Sequence, residues 1–280
     1  MICAVTLFSV MDTGAKYLSE RYPVIMVAWA RFFFNVLIML VVLGPVFGRR
    51  LISTRRPGMQ LARGLALGAS SVLFVSALPH MRLADASAVT FVTPMLVTLG
   101  AVHLLRQRAP SGTWLALAAS FLGVLLVIQP GSSTFTWAAL LPLCTAVFAA
   151  VYQLLTSRVA GIDSGTTSLF IAALVSAVVL SVPVMFYWTW PRSGGDALLF
   201  VGVGAMGALS HYLIIRAFEY APPVVLAPFA YLQIVAALLL GWLAFGNFPG
   251  PLSLLGMGLI VFTGMTMGLR QRVPASSRPS

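Results

Sequence analysis

The residues best suited to chemistry in this sequence are a few charged and polar side chains inside long apolar segments. Arg31 and Asp12 are the two charges predicted to lie well inside such segments, and charges inside a membrane are costly and usually functional. Arg31 could attract a substrate carboxylate or pair structurally with Asp12. Asp12 could couple transport to protons or pair with Arg31 or Lys16. We favour a structural pairing for both, and Asp12 is expected near the outer end of its segment.

Histidines form a second group of candidates. His80 follows Pro79 at the end of an apolar segment, where proline should open the helix end and leave backbone groups free for a substrate. His211 could hydrogen-bond a substrate or be a satisfied core residue. His103 is expected at the membrane interface. The three have no metal-ligand spacing with Cys or Asp, so we predict no metal site and no cofactor.

Further candidates for substrate binding are spread over several of the apolar segments. A proline inside a membrane helix frees the carbonyl four residues before it, and such a carbonyl could contact a substrate ammonium. Phe74 and Tyr152 could form the wall of a cavity that accepts aromatic groups, although core or lipid-facing positions are commoner. Asn35 lies one turn from Arg31, where its side chain could hydrogen-bond to a neighbouring helix or line a pocket. The remaining predicted binding residues are Thr90, Thr93, Pro94, Gln153, Pro228, Tyr231 and Gln233.

The elements that must position these residues are membrane spans. The chain is 60% hydrophobic and 8% charged, with a mean hydropathy of +0.98, whereas soluble domains carry about 25% charged residues. This composition excludes a secreted disulfide scaffold, a disordered chain and an ordinary cytosolic enzyme. A spanning helix needs about 20 apolar residues. Ten segments qualify: 1–18, 23–47, 59–79, 84–105, 112–129, 135–157, 166–190, 197–215, 222–245 and 251–269.

The distribution of basic residues predicts the orientation of these spans. Ten spans place both termini on one side, and basic loops stay in the cytoplasm. We therefore expect both termini inside a bacterial-type inner membrane, and the net charge of +11 needs no nucleic acid. Twelve arginines fall on the terminal side: Arg49, Arg50, Arg55, Arg56, Arg63, Arg106, Arg108, Arg158, Arg216, Arg270, Arg272 and Arg278. Four basic residues fall on the other side: Lys16, Arg21, Arg82 and Arg192.

The two halves of the chain resemble one another. Lys16 and Arg158, and likewise other matched positions, are separated by 139 to 142 residues, about half the chain. This spacing predicts two five-span repeats, residues 1–134 and 135–280. Because five is odd, the second repeat must be inverted relative to the first. Inverted repeats favour alternating access around a central cavity, so the expected fold is an all-α integral membrane protein of this kind.

Several short motifs resemble the drug/metabolite transporter superfamily, in particular its EamA-type members, over the whole chain. The residues that carry this resemblance are Ala30-Arg31-Phe32, Ala77-Leu78, Ala84-Asp85-Ala86-Ser87-Ala88, Pro94, Ala217-Phe218 and Ala221-Pro222-Pro223. Within the superfamily the pattern is most similar to YddG-type exporters of amino acids. Members often carry a glutamate shortly after spans 4 and 9. This sequence has Arg106 or Arg108 and Asn247 there, so the role of that carboxylate does not carry over.

The resemblance and the spans together predict a secondary transporter that exports small metabolites, most of all amino acids including aromatic or bulky apolar ones. We expect facilitated diffusion by alternating access, with a small-molecule substrate and membrane lipid as partners. A carrier of a nucleoside, a sugar or S-adenosylmethionine, or a proton-coupled antiporter, is the alternative. An integral-membrane lipid enzyme would need clustered His, Asp or Glu, and the six acids are scattered, so we do not expect an enzyme.

One motif has a misleading form. Residues 202–207 match G-x-G-x-x-G, which in a dinucleotide site follows a strand and precedes an acidic residue by about 20 positions. Here the glycines lie inside an apolar segment and Glu219 is too close. The motif therefore predicts close helix packing rather than a nucleotide site.

Overall fold

A computed structural model describes residues 1–104, 112–131, 136–220, 226 and 229–270 of the chain. Eleven α-helices and two short 3-10 turns account for the secondary structure of these residues, apart from one isolated bridge between Ala160 and Asp163. The helices are α1 (Ile2–Ser19), α2 (Val24–Phe47), α3 (Pro57–Ala77), α4 (Leu83–Thr90), α5 (Thr93–Leu104), α6 (Thr113–Ile128), α7 (Leu140–Val159), α8 (Gly165–Val184), α9 (Gly194–Tyr220), α10 (Leu232–Phe245) and α11 (Pro251–Arg270).

Six stretches of helix are long and apolar enough to cross a membrane, and three shorter apolar helices accompany them. The long stretches are Val24–Leu51, Pro57–Ala77, Leu83–His103, Trp137–Val159, Gly165–Val184 and Gly194–Ile214. The shorter ones are Trp114–Ile128, Leu232–Phe245 and Pro251–Thr266. Helix α1 has 18 residues and carries Asp12 and Lys16 within its apolar sequence. The fold is thus helical and suited to a membrane, as the sequence predicts.

The predicted span 84–105 is not one continuous helix. It breaks at Phe91 and Val92, between α4 and α5, because Pro94 cannot donate to the carbonyl of Thr90 and its ring crowds that carbonyl. The Thr93 hydroxyl donates to the freed Thr90 carbonyl at 2.6 Å. The Thr93 hydroxyl therefore bonds to the carbonyl oxygen that Pro94 frees, which was expected to be available to a substrate ammonium.

The helices pack in two groups. In group A, α3 packs against α7 and α8, and α7 also contacts α4 and α5. In group B, α9 packs against α1 and α2, and α1 also contacts α10. The two groups meet where α2 packs on α8 and α4 packs on α10. Helices α6 and α11 pack mainly against each other and also contact α4. The space between groups A and B is where the candidate site lies.

Glycines allow the closest approaches within each group. A Cβ added to Gly64 on α3 would lie 3.1 Å from the carbonyl oxygen of Ala172 on α8. A Cβ added to Gly204 on α9 would lie 3.1 Å from the carbonyl oxygen of Ala30 on α2. Gly204 belongs to the G-x-G-x-x-G motif, so the structure confirms helix packing as its role. Gly202 of the same motif has no atom within 4 Å of an added Cβ.

Gly204→Ala is therefore expected to destabilise the protein, whereas Gly202→Ala is the matched control. The new methyl at position 204 meets backbone atoms of α2 that cannot rotate away, and overpacking costs about 1–3 kcal/mol. At position 202 the replacement of glycine in a helix is neutral or stabilising by roughly 0.5–1 kcal/mol. Thermal unfolding of the detergent-purified variants measures both. Equal melting temperatures for the two variants would contradict this packing.

Candidate functional site

A cavity of about 270 Å³ lies between groups A and B. Seven helices contribute to its wall, so residues that are distant in sequence share one space. The lining residues are Phe8, Met11 and Asp12 of α1, Arg31, Phe32 and Asn35 of α2, Leu67, Ser70, Ser71 and Phe74 of α3, Ser87 and Thr90 of α4, Thr145 of α7, Gly207 and His211 of α9, and Gln233 of α10.

An ion pair between Asp12 and Arg31 forms part of this wall. Arg31 Nη2 lies 3.1 Å from Asp12 Oδ1, and the two side chains are 13% and 6% exposed. Asp12 precedes the end of α1 by seven residues, about 10 Å along the helix. It therefore lies in the cavity wall and not at the outer end of its span. Lys16, the other possible partner, pairs with Glu20 at 3.0 Å instead.

Several buried polar atoms of the cavity have no hydrogen-bond partner. Among the described residues six buried side-chain atoms are in this state: Asp12 Oδ1, Arg31 Nη1, Asn35 Oδ1, Ser71 Oγ, Ser87 Oγ and Asp85 Oδ1. All but the last belong to side chains that line the cavity. Leaving a buried polar atom unpaired costs about 1–3 kcal/mol. The four lining atoms other than Asp12 Oδ1, which belongs to the ion pair with Arg31, are therefore available to a polar ligand.

Four of the predicted binding residues line the same cavity as Asp12 and Arg31. Phe74 and Thr90 come from group A, and His211 and Gln233 come from group B. The ring of His211 meets Phe8 edge to face, with 5.0 Å between centroids. The backbone carbonyl of Gln233 accepts a hydrogen bond from Ser9 at 3.2 Å, which fixes the start of α10 against α1.

Four other predicted residues lie away from the cavity. His80 is exposed in the turn after α3, where its backbone N–H donates to the Ala77 carbonyl. Pro94 is also exposed, and the buried Thr93 serves the break between α4 and α5. Gln153 is exposed on α7, about 12 Å along the helix from the lining residue Thr145.

Tyr231 and Tyr152 belong to other contacts. The ring of Tyr231 lies 5.1 Å from that of Phe91, and the hydroxyl of Tyr152 accepts from Arg63 at 3.4 Å. Pro228 lies outside the described residues.

Several serine and threonine residues that line the cavity were not predicted from the sequence. Ser70 and Ser71 lie four and three residues before Phe74, so the three side chains share one face of α3. Ser87 lies three residues before Thr90 on α4, for the same reason. Thr145 of α7 has no comparable neighbour in the predicted set. Helical spacing from the predicted residues was the signal that could have found the serines.

One end of the bundle, which we call the basic end, is defined by residues 48–56 and 160–164. Arg63, counted by sequence as a basic loop residue, is 1% exposed there within α3. It donates to Thr156 Oγ1 at 2.9 Å and to the carbonyl of Ser168 at 3.3 Å. These hydrogen bonds join α3 to α7 and α8, so Arg63 stabilises the interior of group A.

Asp163 continues this network in the loop between α7 and α8. Its Oδ2 accepts from Gln60 at 2.8 Å, and its Oδ1 accepts from the backbone N–H of Arg55 at 3.1 Å. Desolvation raises the pKa of Asp163, but hydrogen bonds from Thr54, Gln60 and Arg55 outweigh it and hold the pKa below its usual value. The Asp163 carboxylate therefore stays ionised and keeps its hydrogen bond from Gln60 of α3.

The opposite end is defined by residues 20–23, 78–82, 185–193 and 246–250. The ammonium of Lys16, on α1, donates to the carbonyls of Leu78 at 2.5 Å and Met81 at 3.2 Å. Arg82 Nη1 donates to the carbonyl of Phe248 at 3.2 Å. These contacts join the turn of group A between α3 and α4 to group B, and they close this end of the space between the groups.

A scan against protein families identifies the first part of the chain. Residues 1–129 match the EamA-like transporter family. The resemblance stated from the sequence is thereby confirmed for this part. The likeness to curated relatives extends over most of the chain, at lower identity.

Three such relatives are named as transporters. The chain is 28% identical to an S-adenosylmethionine uptake transporter of Rickettsia prowazekii, over 90% of this chain and 85% of that protein. It is 26% identical to a riboflavin transporter of Vibrio cholerae, over 94% and 89%. It is 26% identical to a pseudopaline exporter of Pseudomonas aeruginosa, over 91% and 89%.

One solved crystal structure has the same fold. It superposes with a TM-score of 0.68, covering 97% of this chain and 96% of the other, at 17% identity. At this identity the likeness concerns the arrangement of the helices alone.

Lys16→Met is expected to open the cavity to reagents from the end opposite the basic end. Methionine keeps the volume but cannot donate to the Leu78 and Met81 carbonyls. The measurement is the labelling rate of Ser71→Cys by a membrane-impermeant thiol reagent, in a background with Cys3 and Cys144 replaced by serine. We expect several-fold faster labelling, while Arg21→Met, which removes an exposed cation nearby, leaves the rate unchanged. An unchanged rate with Lys16→Met would contradict closure by this residue.

Proposed function

We propose that the protein is a secondary transporter, and not an enzyme, that moves small metabolites through the cavity between groups A and B. The observation that carries this proposal is the set of unpartnered polar atoms in a cavity between two helix groups. Such a space can bind a small polar solute away from lipid. The names of the relatives, which transport three different small molecules, support the same activity.

We infer ten spans in two inverted repeats, residues 1–134 and 135–280. With α4 and α5 counted as one span, α1, α2 and α3 of the first repeat correspond to α7, α8 and α9 of the second. The α3–α7 contact then corresponds to the α9–α1 contact, and the α3–α8 contact corresponds to α9–α2. Three further contacts each join a helix to its counterpart in the other repeat: α2–α8, α4–α10 and α6–α11. Gly64 and Gly204, 140 positions apart, lie at corresponding interfaces. A two-fold relation between the halves explains all of these pairings.

The same correspondence relates group A to group B, which supports alternating access. Two equivalent groups can rock around a site between them and expose it to either side in turn. Lys16 and Arg82 hold the groups together at the end opposite the basic end. These bonds must break when the cavity opens there. The basic end is cytoplasmic in this proposal, with both termini inside the bacterial inner membrane.

The lining of the cavity favours amino acids as substrates. It offers one anionic and one cationic side chain beside Phe8, Phe32 and Phe74, which suits a charged head with an apolar or aromatic side chain. Its volume of about 270 Å³ is near the lower limit of roughly 300–1,000 Å³ for ligand pockets. A methylene in an apolar pocket changes affinity by only about 1–3 kcal/mol, so broad selectivity among side chains is expected.

S-adenosylmethionine is the second candidate substrate. The relatives from Rickettsia are named for its uptake. The molecule ends in an α-amino acid group that presents the same two charges, and it carries a further positive charge on its sulfonium. Its adenosyl part would have to extend beyond a cavity of this volume.

We propose facilitated diffusion in either direction, with export when the solute is more concentrated inside. The Asp12 carboxylate is paired with Arg31, and we propose that this pair serves substrate binding and not proton coupling. A proton-coupled antiporter would need that pair to separate in each cycle.

Transport by purified protein in liposomes tests the proposed function. The panel is labelled L-phenylalanine, L-methionine, S-adenosylmethionine, a nucleoside and a sugar, with empty liposomes as the control. We expect amino acids to equilibrate faster than in empty liposomes, with little dependence on an imposed pH gradient. No flux of any solute would contradict the transport function. Uphill accumulation driven by protons would contradict facilitated diffusion.

A further inference from the structure

The two charged side chains of the cavity leave some of their hydrogen-bonding capacity unused. Arg31 uses Nη2 for Asp12, while its Nη1 has no hydrogen-bond partner. Asp12 Oδ1 lies 3.1 Å from Arg31 Nη2, and the side chain of Gln233 is a second partner of the Asp12 carboxylate. A carboxylate can accept about four hydrogen bonds, so it can still accept from a ligand. A pair that served structure alone would have its donors and acceptors satisfied, because unpaired charged atoms in a protein interior are costly.

Neutral side chains that line the same cavity also have unpartnered polar atoms. Ser71 and Ser87 have unpartnered hydroxyls and are 7% and 2% exposed. Asn35 is 4% exposed and has an unpartnered carbonyl oxygen. Donors and acceptors for both signs of charge therefore line one cavity.

We propose that Asp12 and Arg31 together bind the two charges of a zwitterionic head group. This inference rests on the proposed transport function and specifies its site. The substrate carboxylate accepts from Arg31 Nη1 and the serine hydroxyls. The substrate ammonium donates to Asp12 Oδ1 and to the carbonyl oxygen of Asn35.

Charge balance makes the pair selective. Asp12 and Arg31 are the carboxylate and the guanidinium among the lining residues, and their charges cancel. A zwitterion enters without changing the net charge of the cavity. A solute with a single charge would bring an uncompensated charge into a poorly hydrated space, which is strongly unfavourable.

Binding of three related probes to the full-length protein in detergent tests this assignment. L-Phenylalanine has both charges, L-phenylalaninamide has only the positive charge, and 3-phenylpropionate has only the negative charge. Calorimetric titration gives the affinities. We expect the wild type to prefer L-phenylalanine over each analogue by about tenfold or more, as the loss of a charged hydrogen bond implies.

Variants assign the two charges to the two residues. Asp12→Asn should shift the preference toward 3-phenylpropionate, and Arg31→Gln should shift it toward L-phenylalaninamide. The double variant Asp12→Asn with Arg31→Gln removes both charges together, leaves neither one unpaired and should lose the preference. The control Ser210→Ala changes a buried side chain of α9 that bonds to the Met206 carbonyl and does not line the cavity. It should keep the wild-type preference.

The outcomes separate this inference from the proposed function. A folded double variant that keeps the wild-type preference overturns the inference, as do single variants that shift in the same direction. Binding and transport of a nucleoside or sugar, with no amino acid or S-adenosylmethionine bound, also overturns it but leaves the transport function standing. If the double variant does not fold, the opposite shifts of the single variants decide.

Discussion

The cost of placing charge inside a membrane protein governs the arrangement around the cavity. Asp12 and Arg31 lie on α1 and α2 and compensate one another across 3.1 Å. Both helices are held against α9, whose Gly207 lines the cavity beside Asn35 and Met11. A side chain at that glycine would intrude on Asn35, so close packing in group B and the polar lining of the cavity depend on the same residues.

The two ends of the bundle are held by different kinds of contact. Near the basic end, Arg63, Gln60 and Asp163 join elements of group A to one another. At the opposite end, Lys16 joins group B to group A through two backbone carbonyls. If the two groups move as alternating access proposes, the first network strengthens one of them and the second must break for the groups to separate. The Lys16 ammonium is held by two carbonyls and Glu20 and lies 5.2 Å from the centroid of the Phe245 ring. Water can replace the carbonyls and Glu20 if this end opens.

Much of the fold could be predicted from the sequence, because apolar length and basic residues near span ends depend on local composition. The positions of Phe74, Thr90, His211 and Gln233 on the cavity also agree with helical spacing. The break between α4 and α5 was implied by Pro94, but its consequence was not: the carbonyl that proline frees is taken by Thr93. His80 lies outside the cavity because the chain has already left α3. Arg63 could not be placed in the interior, because its partners come from α7 and α8, more than 90 residues away.

A cross-link between the two groups tests the account most directly. Cysteines at Lys16 and Leu78, joined by a short bifunctional thiol reagent in a protein without Cys3 and Cys144, would hold groups A and B together at one end. The account predicts that cross-linking stops amino acid flux in liposomes, while the pair Arg21 and Ser193 at the start of group B helices leaves flux intact. Full flux through protein cross-linked between positions 16 and 78 would contradict movement of the two groups around the cavity.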